Sequence, residues 1–251
     1  MQNANCTQYE KRYVLFIDIL GFGQYIDQSV DADGTMDSTR IINAGDFIQT
    51  LRKHTGLDDD VGSSMSLSPL LKEAQTTQFS DSIVISFPVS KENLEKCLFS
   101  ASHIFWLGVH HEFIVRGAIV SGYIIHNERL LYGPGFNDAY KMEKDKAIYP
   151  RIVVDDEIEK EVAATLPERY CLIVNDQEKI SYLNMFVGLQ WRFQSPSERC
   201  RLFHRLESII EKEEKNKCIH VKEKYEWLKK NMQDNRAYLL LHKDEGAMRL
   251  S

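Results

Sequence analysis

The chain has 251 residues, with 37 acidic against 31 basic side chains, a net charge of −6, and 43% hydrophobic residues. That balance suits an ordinary globular protein with one large domain, or a core with an appendage. It disfavours a general nucleic-acid binder, which would carry a basic surplus.

In chain order, Tyr13 to Leu20 is an apolar run broken by a single acid, Asp18, and followed by Gly21-Phe22-Gly23. Its length and β-branched content predict a strand buried on both faces. From Thr39 to Thr55 the spacing of Ile41, Ile42, Phe47, Ile48 and Leu51 is helical, and Leu57 to Ser68 reads as a loop. Thr76 to Phe79 and Ser82 to Phe87 are strand-like runs that meet at Ser80-Asp81, as in a hairpin. Lys91 to Val109 is helical in pattern, and Phe113 to Ile125 alternates like a long strand. A turn at Asn127-Glu128 precedes Leu130 to Tyr132; Gly133-Pro134-Gly135 then opens a short helix running through Glu143. Pro150 to Val154 is a further strand, and Ser197 to Met232 is charged and helical.

This order predicts an α+β, ferredoxin-like core, a mainly antiparallel sheet with helices on one face. A catalytic domain over residues 10–156 and an α-rich C-terminal extension over 157–251 packed on that core are expected. The cysteines (Cys6, Cys97, Cys171, Cys200, Cys218) never fall at CxxC spacing, which points away from a zinc knuckle or a disulfide framework and toward a reducing compartment. The first residues lack a signal-peptide pattern, and no apolar run approaches the roughly 20 residues of a membrane span. A cytoplasmic chain with neither membrane nor nucleic acid as partner is the expectation.

Asp18 is the strongest chemical signal. A carboxylate inside an apolar central strand is costly unless it is neutralised or coordinates a cation. Asp81, at a turn between apolar strands, can lie beside the end of the first strand. Together they would give hard oxygen ligands for magnesium or manganese, with phosphate oxygens completing the shell. Taken singly, Asp81 reads better as a turn-forming Asx residue. Phe22 and Gly23, flanked by Gly21, would bring backbone N–H groups toward a polyphosphate; a plain strand-to-helix turn is the alternative. His110-His111-Glu112 lacks the i, i+4 spacing of a helical zinc site, and Trp106, Trp191 and Trp227 read as packing residues.

These residues resemble the class III nucleotide cyclases. The likeness lies in Phe16-Ile-Asp-Ile-Leu-Gly-Phe22, Phe79-Ser-Asp-Ser-Ile-Val84, Arg116-Gly-Ala-Ile-Val-Ser-Gly122, and a helix with Asn137 and Lys141, over about Tyr13 to Val154. It implies two divalent ions (Mn or Mg) on Asp18 and Asp81, with the Ile19 carbonyl as an extra ligand. It implies attack of the ribose 3′-oxygen on the α-phosphate, release of pyrophosphate, Asn137 orienting the ribose, and Lys141 facing the developing charge. The family usually has Arg at position 141; Lys keeps the charge without the bidentate fork, and Arg116 or Arg151 could serve instead. The family's purine-selecting positions are Thr77 and Pro134 here, and neither can make the usual adenine contacts.

The remaining sequence is most similar to the bacterial pyrimidine cyclases of the Pycsar antiphage system, through Gly133-Pro-Gly135, Ala139-Tyr-Lys-Met-Glu143 and Ala147-Ile-Tyr-Pro-Arg-Ile152. The resemblance implies UTP (or, slightly less favoured, CTP) as substrate, a head-to-tail homodimer with shared sites, and a cyclic product that activates a separate effector protein. Another two-metal nucleotidyl enzyme and a non-catalytic nucleotide-binding module are the alternatives.

Overall fold

The computed structural model describes residues 8–57, 71–192, 195–216 and 218–236. The predicted loop from Leu57 falls almost wholly outside them, as do Cys6 and the side chain of Trp191.

The fold is α+β. Strand β1 (Glu10–Ile19) lies at the centre of a sheet, flanked antiparallel by β3 (Ser82–Pro88) and β4 (Val115–His126). With β2 (Gln75–Phe79), β6 (Ile152–Val154), β7 (Ile173–Asn175) and β8 (Ser181–Leu183), the spatial order is β2-β3-β1-β4-β6-β8-β7, and the short β5 (Leu131–Tyr132) pairs with the end of β4. Only the β4–β6 pairing is parallel among the described strands.

Because side chains alternate along a strand, β1 serves two cores. Tyr13, Leu15, Ile17 and Ile19 face a large apolar layer with α2 (Ser38–His54) and α3 (Lys91–His110). Val14 and Phe16 face the other way, with Val84, Val120 and Ile124, onto Ala139 of α4 (Pro134–Lys146). Most helices therefore form one layer, and α4 lies across the opposite face. The helix starts are capped as their sequences allow: the Asp37 carboxylate accepts from the Thr39 and Arg40 N–H groups at α2, and the Ser90 hydroxyl oxygen from Asn93 N–H at α3.

Two elements that position the site are short. Helix α1 (Phe22–Asp27) follows β1 through Gly21 at φ 75°, a left-handed conformation that glycine adopts without steric cost. Helix α4 approaches β4 so closely that a Cβ on Gly122 would stand 2.5 Å from the Gly135 Cα.

Beyond Asp156 the sheet continues. After α5 (Asp156–Thr165), β8 joins β6 at Tyr182–Val153 and β7 pairs with β8, so the expected helical extension carries two strands of the common sheet. Helix α6 (Met185–Arg192) packs against α3, and the predicted 197–232 stretch is two helices, α7 (Pro196–Glu213) and α8 (Ile219–Asp234). The charged run from Glu211 spans the break between them. There the Asn216 side-chain oxygen accepts from Cys218 N–H, an Asx turn that favours a stop. No helix of the described residues is long and apolar enough to cross a membrane.

Candidate active site

Asp18 sits one residue before the end of β1, opposite Ser82 of β3 and Arg116 of β4. Its carboxylate accepts from Ser82 Oγ at 3.3 Å and from Arg116 Nε and Nη2, both at 3.3 Å. The β2–β3 turn consists of Ser80, at φ 54°, and Asp81, whose carbonyl oxygen accepts from Ile19 N–H at 3.2 Å. That bond ties the turn to the end of β1 and brings Asp81 beside Asp18. Burial pushes the Asp18 carboxyl above its ordinary range; Arg116 pulls it back, and the neighbouring Asp81 charge adds to the rise. A buried acid held this way gains by meeting a cation.

Arg116 joins this cluster to α4. Its Nε lies 2.8 Å from Glu143 Oε1, an ion pair without hydrogen-bond alignment, since that oxygen has no hydrogen-bond partner; Nη1 reaches the Ala147 carbonyl at 3.4 Å. Glu143 is 3% exposed, and burial pushes it up to about 7, with Arg116 opposing and Asp18 reinforcing the shift. The spacing of charges along α4 did not single out Glu143. The available signal was its position six residues after Asn137, on the helical face that includes Ala139.

Asn137 and Lys141 lie one helical turn apart on α4, both exposed, and among the described residues their side chains make no hydrogen bond or ion pair. The fold therefore gathers Asp18, Asp81, Arg116 and Glu143 in one place and leaves Asn137 and Lys141 on an open helix face. Between the two groups lies an aromatic cluster: Phe16 stands 6.5 Å from Phe79, 6.3 Å from Phe136 and 5.7 Å from Tyr140. Phe79 and Tyr140 remain 43% and 48% exposed.

The other predicted positions divide. Thr77 lies on β2, on the Phe16 face, and Pro134 is exposed at the first turn of α4. A Cβ on Gly23 would meet nothing within 4 Å, whereas the Phe22 ring is buried 6.0 Å from Phe113, so only its backbone can face a ligand.

Arg151 corrects an expectation. Its side chain is 2% exposed; Nη1 donates to Asp176 at 2.6 Å and Nη2 to the Lys146 carbonyl, and the guanidinium lies over the rings of Tyr149, Tyr182 and Trp227. A guanidinium committed to an ion pair and three aromatic rings does not bind a triphosphate; it fastens β6 to β8 and α8. The basic residue before β6 looked available because Asp176, Tyr182 and Trp227 arrive from 25 and more residues downstream.

Asp18 and Asp81 fit a magnesium-type ion in donor chemistry, since such ions bind through one or two carboxylates and fill the shell with phosphate oxygens and water. No group of three or more His, Cys, Asp and Glu side chains that could hold a metal occurs among the described residues.

No family model matches the chain, and no curated protein matches it. Among solved structures, it is similar to the catalytic core of a rhodopsin-guanylyl cyclase with converted specificity in complex with ATPαS (TM-score 0.42, 14% identity, 70% of this chain and 95% of that one). It is also similar to a class III adenylyl cyclase-like ATP-binding protein from Pseudomonas aeruginosa (TM-score 0.42, 11% identity, 96% of this chain), of whose length it spans 43%.

Proposed function

We propose that this chain is a nucleotide cyclase that converts a pyrimidine nucleoside triphosphate, UTP or CTP, to its 3′,5′-cyclic monophosphate. The supporting observation is the meeting of Asp18 and Asp81 at one end of β1, with Arg116 alongside and the Asn137/Lys141 pair exposed on α4. Two divalent ions held by Asp18, Asp81 and the Ile19 carbonyl would supply Lewis-acid stabilisation of charge on the α-phosphate. The chain's own part is to place groups. Backbone N–H groups at Phe22 and Gly23 face the polyphosphate, Asn137 orients the ribose, and Lys141 offsets charge developing on the transferred phosphorus. Arg116, beside Asp18, adds positive charge next to the phosphates.

In this reading Asn137 and Lys141 act on the Asp18 site of a second copy, which gives a head-to-tail homodimer. The exposed aromatics around Phe16 support it, because a second copy would cover them. A product of this kind suits signalling to a separate effector, in keeping with an antiphage second messenger.

Incubation with each of four nucleoside triphosphates and manganese, followed by chromatography of the products, tests the proposal. A 3′,5′-cyclic pyrimidine nucleotide is expected, and Asp18→Asn and Asp81→Asn should each reduce turnover at least about a hundredfold in folded protein. Near-normal turnover in either variant would refute the metal assignment. The ion pair of Arg116 with Asp18 favours one other reading, a binding module whose acid is already neutralised; turnover of none of the four triphosphates would support it.

A further inference from the structure

The face of the sheet that carries Asp18 also carries a run of buried polar side chains with no part in the chemistry above. Arg12 is 6% exposed. Its Nε donates to Ser86 Oγ at 3.0 Å, Nη2 to the Ser86 and Glu73 carbonyls, and Nη1 to Glu10. Ser86 Oγ lies 2.9 Å from His126 Nδ1, and His126 Nε2 lies 2.9 Å from Thr77 Oγ1. Ser86 is fully buried and His126 is 8% exposed.

Donor chemistry gives this run a direction. A guanidinium only donates, so Ser86 Oγ accepts from Arg12. Burial, aided by the Arg12 charge, holds His126 down to about 4, so its ring is neutral near pH 7, with one N–H and one bare nitrogen. Ser86 completes its bonding by donating to Nδ1. The ring proton then lies on Nε2 and is donated to Thr77 Oγ1. Among the described residues no acceptor takes the Thr77 proton, and Thr77 is only part-buried, so that proton points out of the network.

We propose that Arg12, Ser86 and His126 are positioning residues that hold Thr77 as a hydrogen-bond donor to the base, so that the site takes a pyrimidine with a carbonyl at that edge (uracil) over one with an amino group (cytosine). The inference rests on the pyrimidine-cyclase reading and deepens it to UTP. Opposite cytosine, two donors would meet and one would lose its partner, a mismatch that polar sites reject strongly.

The test is turnover of an equimolar UTP and CTP mixture with manganese, read as the ratio of cyclic products, for wild type, Thr77→Val, Thr77→Ser and His126→Glu, with melting curves to establish folding. Wild type should favour cyclic UMP. Thr77→Val should lose about tenfold more kcat/KM on UTP than on CTP, and Thr77→Ser should keep the wild-type ratio. In His126→Glu the carboxylate accepts from both Ser86 and Thr77, turning a Thr77 lone pair outward and moving the ratio toward CTP. If that variant does not fold, the Thr77 pair decides. A wild-type preference for CTP, or a ratio unmoved by Thr77→Val, overturns the relay while leaving a pyrimidine cyclase. Absence of any pyrimidine turnover by wild type overturns the underlying reading, and the relay with it.

Discussion

Glu143 is paired with the same Arg116 that holds Asp18, and its ionisation has a consequence for stability. Its folded-state value is raised to about 7 from an ordinary 4.5, mainly by burial. Below pH 4.5 it is neutral whether folded or unfolded. Between 4.5 and 7 the folded chain holds the proton more tightly, so this group's contribution to stability is lost as pH rises through that window, and the loss is complete above it. Glu143→Gln keeps the shape and removes the charge. Its melting temperature in EDTA is expected to match wild type at pH 4.5 and to exceed it by a few degrees at pH 8; equal curves at both would mean that the carboxyl titrates normally. Asp18 was readable in the sequence because an acid within Phe16-Ile-Asp-Ile-Leu20 has no inexpensive explanation. Glu143 was not, because an acid on a polar helix is ordinary, and only the packing of α4 on β4 shows that it is buried. Arg151 was misread for the converse reason, since its cage comes from Tyr182 and Trp227.

At the level of elements, the contact of β4 with α4 depends on the absence of side chains at Gly122 and Gly135. A Cβ on Gly122 would meet backbone at 2.5 Å, which nothing flexible can relieve. Gly122→Ala should therefore cost about 1–3 kcal/mol, as overpacking does, and lower the melting temperature by roughly 3–10 °C. It should also weaken turnover by shifting Asn137 and Lys141. The same exchange at Gly23, in α1 with open space around it, should be neutral or gain up to about 1 kcal/mol. Equal effects at the two sites in thermal melts would refute the argument from close approach. The long elements were legible, since the predicted β2–β3 hairpin, α2, α3 and β4 all lie within two residues of the observed ones. Strands β7 and β8 were not, because three residues are too few to show a period and the β6 edge that β8 joins lies in another part of the chain.

For the whole molecule, the boundary at residue 156 separates motifs without separating cores. Trp106, toward the C-terminal end of α3, is fully buried, and its Nε1–H donates to the Met185 carbonyl at 2.9 Å. Its ring packs edge-on to Phe186 at 5.6 Å and stacks on Phe203 at 5.9 Å, so residues from α6 and α7 seal the helix that backs the strands carrying Asp18 and Arg116. One continuous apolar cluster runs from Tyr13 to Met232. A fragment ending at 156 would expose Trp106, leave its N–H without that acceptor, remove Asp176 from buried Arg151, and bare the β6 edge that β8 covers. Uncovered edges and unpaired buried charge are each costly, and together they exceed what a marginally stable fold retains. The 1–156 fragment is therefore expected to be aggregation-prone or to lack a cooperative melt and a near-ultraviolet dichroism signal, while the full chain shows both. A fragment that melted cooperatively with native-like near-ultraviolet bands would instead make the first 156 residues an independent unit, and the role of α6–α8 would then have to be sought at the surface they present rather than in the core they complete.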